Sequence, residues 1–189
     1  MEFSREIEKS LEILREGKLL LYPTDTVWGI GCDATQSLAV QKIYRIKQRD
    51  ISKPMIVLVE SFERLSELVE VSKAARRLMS QAGKPLTIVY ETLKGVVAPN
   101  LLSKDKTLAI RLTEDPFCKR LIQAFGKAIV STSANRSGVP PPISFDRIDS
   151  DLLDEIDYIV NLRREEKAYY ESSSVVKLSS NGKKQMLRK

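Results

Sequence analysis

Met55–Val59, "MIVLV", is an unbroken apolar run set between Pro54 and Glu60. A run of that length reads as a strong buried strand. Downstream of it the periodicity changes: residues 62–81 look helical, in two pieces joined around Ser72 as an N-cap. "PLTIVY" (Pro85–Tyr90) returns to strand, a loop rich in Gly, Pro and Asn follows, and "LAIRL" (Leu108–Leu112) is strand again. Asp115-Pro116 starts a helix, with Asp capping and Pro at the first helical position. That helix carries Phe117, Leu121 and Phe125 on one face and stops near Gly126.

Upstream, Phe3, Ile7, Leu11 and Leu14 recur at helical spacing before Gly17. "KLLLY" (Lys18–Tyr22) is a short buried strand ending at Pro23, and "YPTDTVWGIG" (Tyr22–Gly31) reads as a loop whose glycines permit positive φ. Ala39, Ile43 and Ile46 mark a helix running from Ser37. Past residue 126, "AIVS" is a strand and "TSANRSGVPPP" an irregular loop, since its proline triplet forbids regular structure. Residues 145–156 read as a helix, with "YIV", "SVVKL" and "QML" as late strands. Strands interleaved with helices throughout predict one α/β domain, residues 1–189, around a twisted sheet with several loops meeting at one end.

Composition narrows the chemistry. The chain of 189 residues has no histidine, which excludes Ser-His-Asp and Cys-His nucleophile systems and His-ligated metal sites. An enzyme built this way works by positioning and by cationic stabilisation of charge. Net charge is +6, which favours anionic partners such as nucleotides or RNA. No apolar run approaches the roughly 20 residues of a membrane span, so no membrane partner is expected. Cys32 and Cys118 lie far apart without CxxC spacing, which fits a reducing, cytoplasmic setting.

Four polar segments carry candidate sites, each with a structural alternative. Thr24 and Thr26 either cap a turn or contact a ligand. Lys47, Arg49 and Lys53 in "KQRDISK" either complement a helix C-terminus or converge on phosphate. Arg111, inside an apolar strand, is either on a solvated face or aimed at a ligand carboxylate, with Thr107 just before it. "STSANRSG" (Ser131–Gly138) puts hydroxyls and an amide after a buried strand, where small side chains permit an anion or ribose site. Ser172–Ser174 would sit at the mouth of another strand.

In order along the chain these segments resemble the YrdC/YciO family and, within it, the threonylcarbamoyl-AMP synthases. "PTDTVWGIG" is similar to its PT-[ED]-T-x-[YFW]-G-[LI]-G signature, "KQR" with "KPMIVLV" to K-x-R…P-L-I, and "KPLTIVY" to P-G-P-[LV]-T. "TLAIRLTEDP" resembles its arginine-bearing strand, "STSANRSGVPP" its S-x-S-A-N loop, "SSSVVKL" its S-T-V-V-D strand and "LRK" its closing R-P-G. The resemblance implies a mixed or mainly antiparallel twisted sheet with flanking helices around a large basic concave site. It implies an L-threonylcarbamoyladenylate synthase, a nucleotidyltransferase that joins L-threonine, bicarbonate and ATP, with Mg²⁺ accompanying the ATP. A tRNA threonylcarbamoyl transferase complex would act downstream. Carried over by position, Thr24, Arg111, Ser131 and Ser173 match the threonine contacts. Lys47, Arg49, Lys53, Thr107, Ser133, Asn135 and Arg188 match the nucleotide contacts, with Lys47 and Arg49 catalytic. The competing expectation is a YciO-like paralogue that binds tRNA or double-stranded RNA without this synthase activity.

Overall fold

The computed structural model describes residues 2–168, 172–178 and 184–188. Helix α1 (Glu2–Arg15) precedes β1 (Leu20–Tyr22), β2 (Gly29–Gly31), α2 (Ser37–Ile46) and β3 (Ile56–Val59). Then come α3 (Phe62–Leu68), α4 (Lys73–Ser80), β4 (Leu86–Glu91), β5 (Thr107–Leu112), α5 (Pro116–Phe125) and β6 (Ile129–Ser133). The described chain closes with α6 (Ser150–Leu153), β7 (Tyr158–Ile159), β8 (Ser174–Leu178) and β9 (Lys184–Arg188).

These strands form one mixed sheet in the order β7-β1-β2-β6-β3-β5-β4-β8-β9. The β1/β7, β3/β5 and β4/β8 pairs are parallel and the others antiparallel. One face packs on α2, α3 and α4 through Leu21, Ile30, Val57, Ile88, Ile110 and Val130. The opposite face is only half covered. There α1 and α5 bring Ile7, Leu14, Phe117 and Leu121 onto Leu20, Tyr22, Leu58 and Ile129. Each such side chain, fully buried, contributes roughly 1.5–3 kcal/mol. The rest of that face, where β3, β5, β4 and β8 present Ile56, Ala109, Val89 and Val175, forms the floor of a cavity.

Local signals explain most boundaries. Ser72 and Asp115 accept from the N–H groups of Ala75 and Cys118, which starts α4 and α5 at the expected caps, and Ser61 does the same for α3 through Arg64 N. Gly126 ends α5 at φ 77°.

Two expectations are corrected. Residues 145–156 are not one helix but a 3₁₀ turn (Phe145–Arg147) and the short α6. Asp149 separates them, because its carboxylate accepts from Asp151 N and so caps a new element. "GIG" is the strand β2, not loop, and its glycines provide room rather than positive φ. A Cβ on Gly31 would lie 2.3 Å from Val130 O and 2.8 Å from Tyr22 Cε1, where Tyr22 crosses to donate to Val130 O. No helix among the described residues is long and apolar enough to cross a membrane.

Candidate functional site

Strand register assembles the cavity. Across β6, β3, β5 and β4, Ser131 pairs with Ile56, Ile56 with Ala109 and Ala109 with Val89. One pleat along, Arg111 pairs with Thr87, Thr87 with Val175 and Val175 with Arg188. Side chains two residues apart share a face, so both rows open on the same side. The result is an apolar floor edged by hydroxyls and guanidinium groups, with a volume of about 280 Å³.

Arg49, Arg111 and Arg188 all line it, and among the described residues no lining side chain is acidic. The three cations feel one another: burial, then Arg111 and Arg49, hold the Arg188 guanidinium below its ordinary range. Arg111 is 4% exposed. Its Nη1 donates to Thr26 Oγ1 at 3.1 Å, its Nη2 lies 3.0 Å from Asp25 Oδ1, and its Nε has no partner among the described residues. A buried guanidinium N–H without an acceptor is costly, and this one is closed off from solvent. Arg49 is fixed by donating to Lys53 O at 2.9 Å and Pro54 O at 3.1 Å.

The hydroxyl edge comes from Thr26, Ser131, Ser133 and Ser173. Ser173 Oγ is 2.7 Å from Thr87 Oγ1 and accepts from Arg188 Nη2 at 3.3 Å, while Arg188 Nε donates to Ser173 O. Gly29 keeps this edge open, since a Cβ there would stand 3.1 Å from Ser131 Oγ.

The remaining expected residues stand outside the lining. Thr24 is buried and spends its hydroxyl locally, donating to Val27 O at 2.7 Å and accepting from Thr26 N. Lys47 is 1% exposed and donates to the carbonyls of Ser133 and Asn135 from behind the loop. Burial, with Arg49 nearby, pulls its ammonium down to about 7. Asn135 donates to Arg136 O and Val139 O, which folds the loop onto itself. Lys53 is exposed on the turn beside Arg49. Thr107 lies on the Arg111 face but beyond Ala109, paired with Ser103 Oγ at 2.8 Å.

Sequence reasoning missed two participants. Asp25 neutralises Arg111 from outside the cavity. Arg163 donates to Thr24 O and pairs with Asp115 and Glu166, which braces the loop that carries Thr26. Both contacts join segments far apart in sequence, where spacing carries no signal. Among the described residues no group of three or more Cys, Asp or Glu side chains could hold a metal ion.

A family model described as Sua5_yciO_yrdC, "Telomere recombination", matches residues 12–189. A protein of Pseudoalteromonas translucida named threonylcarbamoyl-AMP synthase is 33% identical over 180 residues, covering 94% of this chain and 95% of the relative. One of the same name from Escherichia coli O1:K1 / APEC is 33% identical over 147 residues, covering 75% and 76%. P. abyssi Sua5 complexed with L-threonine superposes with a TM-score of 0.83 at 29% identity. That superposition takes in 96% of this chain but 53% of the Sua5 chain, so this chain spans about half its length. E. coli YciO superposes with a TM-score of 0.84 at 26% identity, over 98% of this chain and 89% of YciO.

Proposed function

Given that the chain belongs to the Sua5/YciO/YrdC family, we propose that it is an L-threonylcarbamoyladenylate synthase. The fold alone does not select this activity, because YciO superposes as well as Sua5 does. The reading is supported by relatives named for it at 33% identity and, above all, by one feature of the cavity. That feature is a buried arginine, Arg111, which lines the same cavity as Arg49 and Arg188, with no acid lining it among the described residues.

In this proposal Arg111 takes the threonine carboxylate, and Ser131, Ser173 and Thr26 orient the amino acid. Thr24 contributes shape, by holding the turn that presents Thr26. The threonine amine and bicarbonate give a carbamate and water. A carbamate oxygen then attacks the α-phosphorus of ATP, the bond to the bridging oxygen breaks, and pyrophosphate leaves. The nucleophile belongs to the substrate, so a chain without histidine suffices. Arg49, Arg188 and the Ser133 hydroxyl face the phosphates and stabilise the charge that builds there. Lys53 sits where a side chain could reach the same anion from the rim, and Thr107 is left for the outer end of the nucleotide. In this proposal Mg²⁺ arrives with the ATP, while the described lining offers its phosphates cations and hydroxyls. The product would pass to a separate enzyme that modifies tRNA.

The test is incubation with ATP, Mg²⁺, bicarbonate and each amino acid in turn, followed for pyrophosphate and for the adenylate by mass. Pyrophosphate release that needs both threonine and bicarbonate supports the proposal. ATP turnover indifferent to threonine, or none at all, overturns it.

A further inference from the structure

Lys47 ends α2 with its side chain wholly inside the protein, yet it meets no carboxylate. Its Nζ donates to two backbone carbonyls, Ser133 O and Asn135 O, while Ser137 N donates back to Lys47 O at 2.8 Å. The charged groups packed around it are Arg49 on its own segment, Arg136 from the loop, and Glu155 beyond. Arg136 donates to Ile46 O and holds Glu155 at 3.1 Å, so the one nearby acid is already paired with a cation. Among the described residues no acid lies within ion-pair distance of Lys47.

Ser133 turns its carbonyl to Lys47 and its side chain to the cavity. The position of that side chain is therefore set from behind by the amine. A charged donor makes hydrogen bonds roughly twice as strong as a neutral one, so the ammonium holds the loop more tightly than the free amine does. An anion arriving beside Arg49 offsets the cationic surroundings and favours the ammonium.

We propose that Lys47 is a positioning residue that acts through the Ser133–Asn135 backbone, and that polyphosphate binding draws a proton onto it. This rests on the nucleotide reading above. In the free protein burial, then Arg49, pulls the ammonium down to about 7, so above that pH the neutral amine gains. Filling the cavity with a triphosphate then takes up as much as about one proton, whereas a permanently charged arginine at this position takes up none.

Isothermal titration of the protein with Mg-ATP at pH 8, in HEPES and in Tris, counts the protons from the difference in heats. The nucleotide's own phosphates titrate near 6 and stay silent at this pH. The wild type should take up more protons than Lys47→Arg, by up to about one per bound nucleotide. Equal uptake in the two overturns the proposal. If Lys47→Arg does not fold, the wild type alone decides: its Kd for Mg-ATP should be flat below pH 7 and weaken up to tenfold per pH unit above it. A flat profile throughout overturns the proposal. Mg-ATP that binds without proton uptake removes the role of Lys47 and leaves the synthase reading intact, while absence of Mg-ATP binding removes both.

Discussion

Thr87 Oγ1 and Ser173 Oγ lie 2.7 Å apart, fully out of solvent, and join the start of β4 to the residue that leads into β8. The pair holds one wall of the cavity, because Ser173 also receives Arg188. Removing the Ser173 hydroxyl strands Thr87 Oγ1, at about 1–3 kcal/mol for a buried unsatisfied group, whereas Ser173 Oγ keeps Arg188 Nη2 when the Thr87 hydroxyl is removed. Ser173→Ala should lower unfolding stability by about that amount, and Thr87→Val by less. The double variant should cost at least about 0.5 kcal/mol less than the two added together. Urea titration of the four proteins checks this, and strict additivity would show that the contact contributes nothing.

The proposed role of Arg111 in holding the threonine carboxylate can be told apart from a role in holding ATP. The arginine's neighbours Thr26 and Asp25 fix the guanidinium fork, which a lysine's single ammonium cannot reproduce. Arg111→Lys should raise the KM for threonine at least tenfold, about 1.4 kcal/mol, and leave the KM for ATP within twofold. Steady-state kinetics with each substrate varied decides it. An effect confined to ATP would assign the residue to the nucleotide.

Arg49 and Lys53 are both cations of the same turn, yet only Arg49 lines the cavity, with two backbone bonds holding it there. Lys53 stands in solvent, where a long flexible side chain gains little from ordering. Arg49→Ala should lower kcat at least tenfold and Lys53→Ala less than threefold. Equal losses would mean that the turn closes over the nucleotide and brings Lys53 in.

The sequence carried the periodic part of this architecture. Ile7, Leu11 and Leu14 mark α1, the Ser72 cap marks α4, and "MIVLV" marks β3, because local spacing alone decides them. What escaped it is set by partners distant in the chain. Gly29–Gly31 forms a strand because β1 and β6 flank it, and the two glycines give no periodic signal by themselves. The site divides likewise. Arg111, Ser131 and Ser173 sit on strands or at their mouths, where alternation fixes the face they share. Thr24 and Asn135 sit on loops whose own backbone satisfies their polar groups, and Lys47, at the end of α2, is taken up by the distant carbonyls of Ser133 and Asn135.

Gly31 and Gly83 offer a matched comparison. A Cβ on Gly31 would drive into a backbone carbonyl and the Tyr22 ring, whereas one on Gly83 would meet nothing within 4 Å. Overpacking of this kind costs typically 1–3 kcal/mol. Gly31→Ala should therefore unfold at clearly lower temperature and weaken the Tyr22–Val130 crossing, while Gly83→Ala should match the wild type. Thermal melts of both are sufficient, and an undisturbed Gly31→Ala would mean that β1 and β6 can separate freely.

Lys47 also makes stability depend on pH in a direction opposite to that of a salt-bridged lysine. The unfolded chain keeps this proton up to the ordinary value of 10.5, whereas the folded chain releases it from about 7, through burial first and Arg49 second. Between those values the unfolded state binds more protons, so stability rises with pH. The buried thiols of Cys32 and Cys118 work against this at higher pH. Desolvation pushes both up, so the unfolded chain ionises its thiols first, above their ordinary range. The clean window is therefore about pH 7 to 8.5. Within it, urea unfolding of the wild type should give a free energy that increases with pH, and Lys47→Met should remove the slope whatever it does to the mean. Saturating Mg-ATP should flatten the wild-type slope as well, because the bound anion keeps the ammonium charged in the folded state. A wild-type slope that survives in Lys47→Met would place the titrating group elsewhere.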